Sequence, residues 1–317
     1  MMDVCIALLP AVLVSILVFG LYPLVVVILS VAAAVFGEYL YNVLRKKPHT
    51  TGDFSAVVTG LLLGLNLPPV VPLYIPIVGG IFATMLVKML FGGIGKNFAN
   101  PAITARIFLV LAWGAAMTAY VVPVDWSQGA EGLIHYFKYT FSDITAVTGA
   151  TPLQYVKTGD LGDVNLLNMF LGTIGGCAGE TSALALLVGG AYLGLKRIID
   201  VKIPLIYIGT TAFLALVFKG IDYVLPFILG GGLMIGAIFM ATDYSTSPNT
   251  KLGVIIYSVM LGVLTVIIRV FSKMPEGVSF AILLMNIVTP LLDKYIIPKP
   301  FGYVKPVKPE KVKEGSK

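Results

Sequence analysis

Uncharged apolar stretches recur along almost the whole chain: residues 4–37, 54–87, 107–124, 203–218, 223–242, 252–268 and 277–292 hold no Asp, Glu, Lys or Arg. A membrane-crossing helix needs about 20 mainly apolar residues, somewhat fewer where long polar side chains snorkel from its ends. Val4 to Leu44 is too long for one crossing and suits two, broken at Gly20-Leu21-Tyr22-Pro23. Asp53 to Leu67 makes a short third helix stopped by Pro68-Pro69, and Pro72 to Phe91 a fourth. A turn over Gly92 to Asn100 leads into a fifth, from Pro101 to Val122. Val164 to Cys177 is too short to cross and reads as a re-entrant segment. Thr181–Leu195, Ile203–Phe218, Tyr223–Ala241, Leu252–Arg269 and Gly277–Tyr295 bring the total to about ten transmembrane helices. The fold class expected is therefore an all-α integral membrane protein.

Composition agrees, with 57% hydrophobic and 12% charged residues. The net charge of +6 is not a nucleic-acid footprint, because much of it lies in Arg45-Lys46-Lys47 and in the tail beyond Asp293, beside span ends. Between Pro123 and Asp163 there are two lysines against five carboxylates, whereas residues 293–317 hold seven lysines against three. The positive-inside rule then puts both termini in the cytoplasm and the 123–163 loop outside, as does counting five crossings before that loop. Cys5 and Cys177 both fall in apolar segments and form no disulfide framework or metal-ligand pattern.

A weak internal repeat divides the chain. Gly52-Asp53-Phe54-Ser55-Ala56 and Gly179-Glu180-Thr181-Ser182-Ala183 each open a short apolar run. Ile77-Val78-Gly79-Gly80 leads to Asn100-Pro101, and Ile228-Leu229-Gly230-Gly231 leads to Ser247-Pro248. Five crossings per half give the two copies opposite orientation, an inverted repeat with short or half helices. The boundaries expected are a membrane domain over 1–297, with repeats at about 22–122 and 164–297 around the 123–163 loop, and a basic cytoplasmic tail over 298–317. Asp53 and Glu180 stand at the starts of the two short helices, where a carboxylate either satisfies helix N–H groups or lines an ion pathway.

Within the loop, Thr148-Gly149-Ala150-Thr151-Pro152 is a small polar knot. Gly149 and Ala150 leave the backbone open to close approach. Pro152 biases Thr151 away from helical geometry. Its hydroxyl is thereby presented to a modifying enzyme, although by composition alone such a cluster is an ordinary loop turn.

The chain resembles the RnfD/NqrB family, whose members are membrane subunits of Rnf electron-transport complexes and of the sodium-pumping NADH:quinone reductase; its moderate length looks more like the Rnf branch. The carrying residues are Phe91-Gly92-Gly93, Asn97-Phe98-Ala99-Asn100-Pro101-Ala102 with Ala105-Arg106, Thr148-Gly149-Ala150-Thr151-Pro152-Leu153, Gly179-Glu180-Thr181-Ser182-Ala183, and Ala241-Thr242-Asp243-Tyr244-Ser245-Thr246-Ser247-Pro248. The resemblance implies FMN joined through its phosphate to the Thr151 hydroxyl, with Thr148, Gly149 and Ala150 forming the recognition motif of an ApbE-type FMN transferase. It also implies a second flavin, riboflavin, held without a covalent bond in the membrane part, and makes Asn100, Arg106, Asp243 and Ser247 candidates to contact a flavin or to line the adjacent cavity. Cys177 departs from the family pattern and takes the place of a serine.

Three function classes fit an inverted-repeat membrane protein. One is a redox subunit relaying electrons between flavins in a ferredoxin:NAD⁺ oxidoreductase that moves Na⁺ or H⁺, with the other Rnf subunits as partners. Another is a channel or transporter of urea-transporter-like architecture. The third is a membrane anchor for soluble redox subunits. The Thr151 motif favours the first, since a channel has no use for a flavin-attachment sequence. His135 sits in the aromatic run His135-Tyr136-Phe137 without neighbouring ligands and reads as a packing residue. No glycine-rich nucleotide motif stands between a strand and a helix, so NAD⁺ is expected on another subunit.

Overall fold

The computed structural model describes residues 1–48, 50–121, 123–124, 151–159, 165–272 and 277–296, all helix and loop except for an isolated bridge residue at Val121. Helices α1 (Met2–Phe19) and α2 (Tyr22–Leu44) separate at Gly20, whose φ of 85° suits glycine alone, and Pro23 then starts α2. The short helix α3 (Ser55–Leu65) ends before Pro68-Pro69. α4 (Tyr74–Ile81) runs on as a π-helical turn over Phe82–Met89. α5 (Pro101–Ala112) begins at an Asn100 N-cap and is followed by the short α6 (Gly114–Met117).

Beyond the loop come α7 (Pro152–Thr158), α8 (Leu166–Leu171), α9 (Ala183–Leu195) and α10 (Lys202–Lys219). Next are α11 (Val224–Leu229) and α12 (Leu233–Ile235), the latter continuing as a π-helical turn over Gly236–Met240. α13 (Lys251–Phe271) and α14 (Val278–Tyr295) close the described chain.

Among the described residues, α1, α2, α10, α13 and α14 are long and apolar enough to cross a membrane alone. The expected span Tyr223–Ala241 is instead a broken pair, Ile221–Leu229 and Leu233–Met240, bent by 66° at Gly230-Gly231-Gly232. Gly231 adopts φ 65° there, and the carbonyls freed by the break are taken by Arg269, which donates to Phe227 O at 2.5 Å and Gly230 O at 3.1 Å. A break at membrane depth is tolerable because it is buried in protein and its backbone is satisfied. The fifth expected span is also shorter, α5 ending at Ala112.

Close helix contacts rest on small residues, since the hydrophobic effect gives little drive between helices already in lipid. A Cβ on Gly60 would lie 2.5 Å from Val31 Cα of α2, and one on Gly189 would lie 2.1 Å from Ala7 O of α1. The lipid-facing side of α1 is the stripe Leu9, Leu13 and Leu17, each more than half exposed and four residues apart. One face of the bundle gathers Met1, Lys47, Asp3 and Lys196, the last two paired at 2.5 Å. α1 carries the chain away from that face to Val18, whose carbonyl accepts the Val124 N–H at 2.9 Å, at the very start of the 123–163 loop.

The repeated motifs share local form. Both Gly-Gly pairs precede a π-helical turn, and both turns precede the Asn100-Pro101 and Ser247-Pro248 segments. The copies are unequal, however, because α10 intervenes between α9 and α11 where only residues 66–73 join α3 to α4.

Candidate functional site

Two polar sites form, joined by α5. The first surrounds Thr151, which adopts φ −78° and ψ 153°, extended as Pro152 requires, and makes no side-chain capping bond to α7. Thr151 is half-buried and borders a space of about 10 Å³ with Tyr120, Leu153, Ile174, Gly175, Gly176, Glu180 and Gly231. Thr148, Gly149 and Ala150 lie outside the described residues.

Glu180 does not cap α9. Ser182 does, its Oγ accepting the Ala185 N–H at 3.2 Å. Glu180 turns instead to Arg106 of α5, with Oε1 at 2.9 Å from Nη2 and both side chains buried. Arg106 also donates to Asn66 Oδ1 at 2.7 Å, Ser279 Oγ at 3.3 Å and Cys177 Sγ at 3.3 Å. A charge on an apolar helix is tolerable when so partnered. Cys177 thus does the hydrogen-bonding work expected of a serine. Gly232 makes room for the pair, since a Cβ there would approach Glu180 Oε1 to 2.6 Å.

The second site is a cavity of about 220 Å³ between α3, the Asn97–Pro101 turn, and the Thr242–Ser245 turn. Asn100 lines it from the N-cap of α5, where its Oδ1 accepts Ala102 N–H at 3.0 Å and its amide reaches Met240 O at 3.4 Å. Asn here satisfies helix N–H groups that would otherwise be orphaned. Asp243 lines the same cavity and accepts from Ser245 Oγ at 2.9 Å and Thr246 Oγ1 at 3.4 Å. Burial pushes its carboxyl above the usual carboxylate range, against the lowering effect of those hydroxyls. Asn97 donates to Ser245 Oγ at 3.3 Å, which ties the two turns together.

Of the expected contacts, Asn100 and Asp243 line the cavity, Arg106 belongs to the Thr151 site, and Ser247 lines neither. Ser245, and not Ser247, lines the cavity. The two residues sit in one motif, and only the turn geometry separates them. Asp53 accepts the Ser55 N–H at 2.8 Å at the start of α3 and lines a third cavity of about 170 Å³. Among the described residues, Glu180 borders the Thr151 space and not this one. Sequence reasoning missed Glu38 and Lys88, a buried pair at 2.7 Å, although a Lys and a Glu inside apolar segments were the available signal.

The fold and these sites define a multi-pass helical membrane protein with buried, ion-paired polar sites on both sides of one short helix. The chain belongs to the NQR2, RnfD, RnfE family, which it matches over residues 1–302. It is 45% identical over 310 residues, 96% of this chain and 91% of the relative, to the D subunit of the Na(+)-translocating ferredoxin:NAD(+) oxidoreductase complex of Acetobacterium woodii. It is 41% identical over 318 residues, 95% of this chain and 91% of the relative, to the D subunit of the proton-translocating ferredoxin:NAD(+) oxidoreductase complex of Clostridium ljungdahlii. The D subunit of the ion-translocating oxidoreductase complex of Stutzerimonas stutzeri is 37% identical over 326 residues, 95% of this chain and 91% of the relative.

Proposed function

We propose that this chain is the flavin-carrying, RnfD-type membrane subunit of an ion-translocating ferredoxin:NAD⁺ oxidoreductase complex. The observation that carries the reading is the placement of α5. Its Asn100 N-cap lines the larger cavity, while Arg106 on the same helix holds Glu180 beside Thr151. The helical rise puts these two positions about 9 Å apart along the axis, so one rigid element spaces both sites.

Thr151 fits attachment of FMN through a phosphoester. Its backbone is extended, its hydroxyl is not spent on capping α7, and the space beside it admits no ring. An attached flavin would therefore lie outward of Thr151, with its ring unmodified. We assign a non-covalent riboflavin to the larger cavity, where Val58, Leu62, Ile94 and Phe239 offer apolar walls and Asn97, Asn100, Thr242 and Ser245 offer polar groups. A bound flavin supplies one- and two-electron transfer at its ring, which the protein only positions and tunes. Arg106 and Glu180 fix the Thr151 site from within, and the Asn97–Ser245 contact fixes the walls of the cavity.

In this reading the face bearing Lys47 and Lys196 is cytoplasmic and the Thr151 loop extracytoplasmic, within reach of an ApbE-type transferase. Residues 22–122 and 164–297 are then the two inverted halves, and the other subunits of the complex deliver electrons and bind NAD⁺. The coupling ion is Na⁺ or H⁺, and the Acetobacterium and Clostridium relatives differ on this point in their names.

The test is Thr151→Ala. Wild-type protein should fluoresce under ultraviolet light in a denaturing gel and carry the FMN mass on the peptide containing Thr151. The variant should insert in the membrane at normal abundance and show neither signal. FMN found on Thr148, or retained by Thr151→Ala, would overturn the assignment.

A further inference from the structure

Lys88 stands on the π-helical turn Phe82–Met89, and its side chain borders two cavities. On one side is the cavity of Asn97, Asn100 and Asp243. On the other is a space of about 170 Å³ lined by Glu38, Asn42, Thr50 and Asp53, with Lys47 contributing to its wall. Lys88 Nζ donates to Glu38 Oε2 at 2.7 Å and to Ser55 Oγ. The Ser55 hydroxyl in turn donates to Asp53, and the Thr50 hydroxyl donates to Glu38 Oε1. Asn42 Nδ2 donates to Thr50 Oγ1 at 3.1 Å. Asn42 Oδ1 has no hydrogen-bond partner among the described residues, although the residue is only 1% exposed and lines the second cavity.

The proton arithmetic of this cluster is one-sided. Each hydroxyl proton is aimed at a carboxylate, so the free lone pairs of Ser55, Thr50 and Asn42 are left to a positive charge. Leaving a buried amide oxygen unpaired is unfavourable, and a bound cation would offset that cost. Carboxylate, hydroxyl and amide oxygens are hard donors suited to hard cations. Lys88 already supplies one positive charge at this position, through three rotatable N–H donors on a flexible stem.

We propose that Glu38, Asn42, Thr50 and Ser55 form a monovalent-cation site of the sodium class, and that Lys88 is its tethered competitor. The exchange is one charge for one. When the Lys88 ammonium swings into the neighbouring cavity, toward the Asp243 carboxylate, a cation entering past Asp53 takes its place on Glu38. No covalent bond changes and the net charge of the Glu38 site is conserved. The site rests on these contacts alone and does not depend on flavin being bound.

The experiment measures binding of radioactive sodium to the purified intact complex, together with melting in sodium chloride against choline chloride. Lys88→Gln removes the competitor, so its sodium affinity should exceed wild type by roughly tenfold or more, and sodium should raise its melting temperature. Adding Glu38→Gln in that background should abolish both gains. Unchanged affinity in Lys88→Gln, or a gain that survives Glu38→Gln, overturns the site. Stabilisation of Lys88→Gln by acid but not by sodium also overturns it, since protons would then be neutralising Glu38. Should Lys88→Gln fail to fold, Asn42→Asp keeps Lys88 and adds a carboxylate beside Glu38. That variant must also bind sodium more tightly, and no change there sinks the proposal.

Discussion

Removing one charge of the Arg106–Glu180 pair tests whether it fastens the two halves of the chain. At 2.9 Å and an effective dielectric of about 20, the two unit charges attract by roughly 6 kcal/mol. Desolvation consumes much of that gross figure, so the pair need not be strongly net stabilising. The cost of deleting one partner is another matter, because it strands a buried charge, and such deletions cost about 3–5 kcal/mol. Arg106→Met strands Glu180, whereas Glu180→Gln strands Arg106 but leaves its bonds to Asn66, Ser279 and Cys177. Arg106→Met should therefore be the worse of the two. At about 2 °C per kcal/mol for a chain of this size, the apparent melting temperature should fall by roughly 6–10 °C. Unfolding of a membrane protein is commonly irreversible, so scans must share one heating rate. The double variant Arg106→Met/Glu180→Gln should lose less than the sum of the single losses, leaving a coupling of at least about 1 kcal/mol. Single variants that melt within 2 °C of wild type, or strictly additive losses, would refute the pair as a fastener.

Two further outcomes follow from the same geometry. Burial raises the Asp243 carboxyl in the folded state, so folding holds its proton longer than the unfolded chain does. Its stability cost is absent below the unfolded carboxylate value of about 3.9 and grows as pH rises toward the folded value. Asp243→Asn should flatten that part of a pH–stability profile, and an unchanged slope would show the burial to be irrelevant. For topology, a cysteine at Ser127 should react with an impermeant maleimide from outside intact cells and one at Ser316 should not. The background should carry Cys177→Ser, which keeps an acceptor for Arg106. The opposite labelling pattern would invert the proposed orientation.

Much of the fold was legible because lipid imposes one simple rule, that backbone bonds be met within each helix. Gly20 to Pro23 and Pro68-Pro69 marked breaks that the structure contains, since each residue type acts locally. The bend at Gly230-Gly231-Gly232 was not legible, because it needs Arg269, remote in sequence, to receive the freed carbonyls. Nor could sequence pair Arg106 with Glu180, or choose Ser245 over Ser247, as both depend on how distant turns pack. The uncharged windows nevertheless held a clue in their limits. Residues 4–37 and 54–87 stop immediately before Glu38 and Lys88, and residues 107–124 start immediately after Arg106. Of the charges at those limits, Glu38 and Lys88 meet each other in a buried pair, and Arg106 is buried against Glu180. A charge that interrupts an otherwise apolar helix needs a partner, and another such interruption is the natural place to find it.

The two buried pairs differ in a way that separates fastening from exchange. Arg106 presents a planar fork to Glu180, Asn66, Cys177 and Ser279, so moving it would break contacts with four residues on different parts of the chain. An always-charged guanidinium held in that manner has no low-cost alternative position. Lys88 bonds to Glu38 and Ser55, and open space lies on either side of it. A compact ammonium on a four-carbon stem can trade those two contacts for Asp243 and the Asn97 side of the larger cavity without unfolding a helix. Arg106 is therefore the lock between the halves, and Lys88 is the charge able to move. If the Arg106 variants lost exchangeable sodium while the Lys88 variants lost only stability, this division of labour would be reversed.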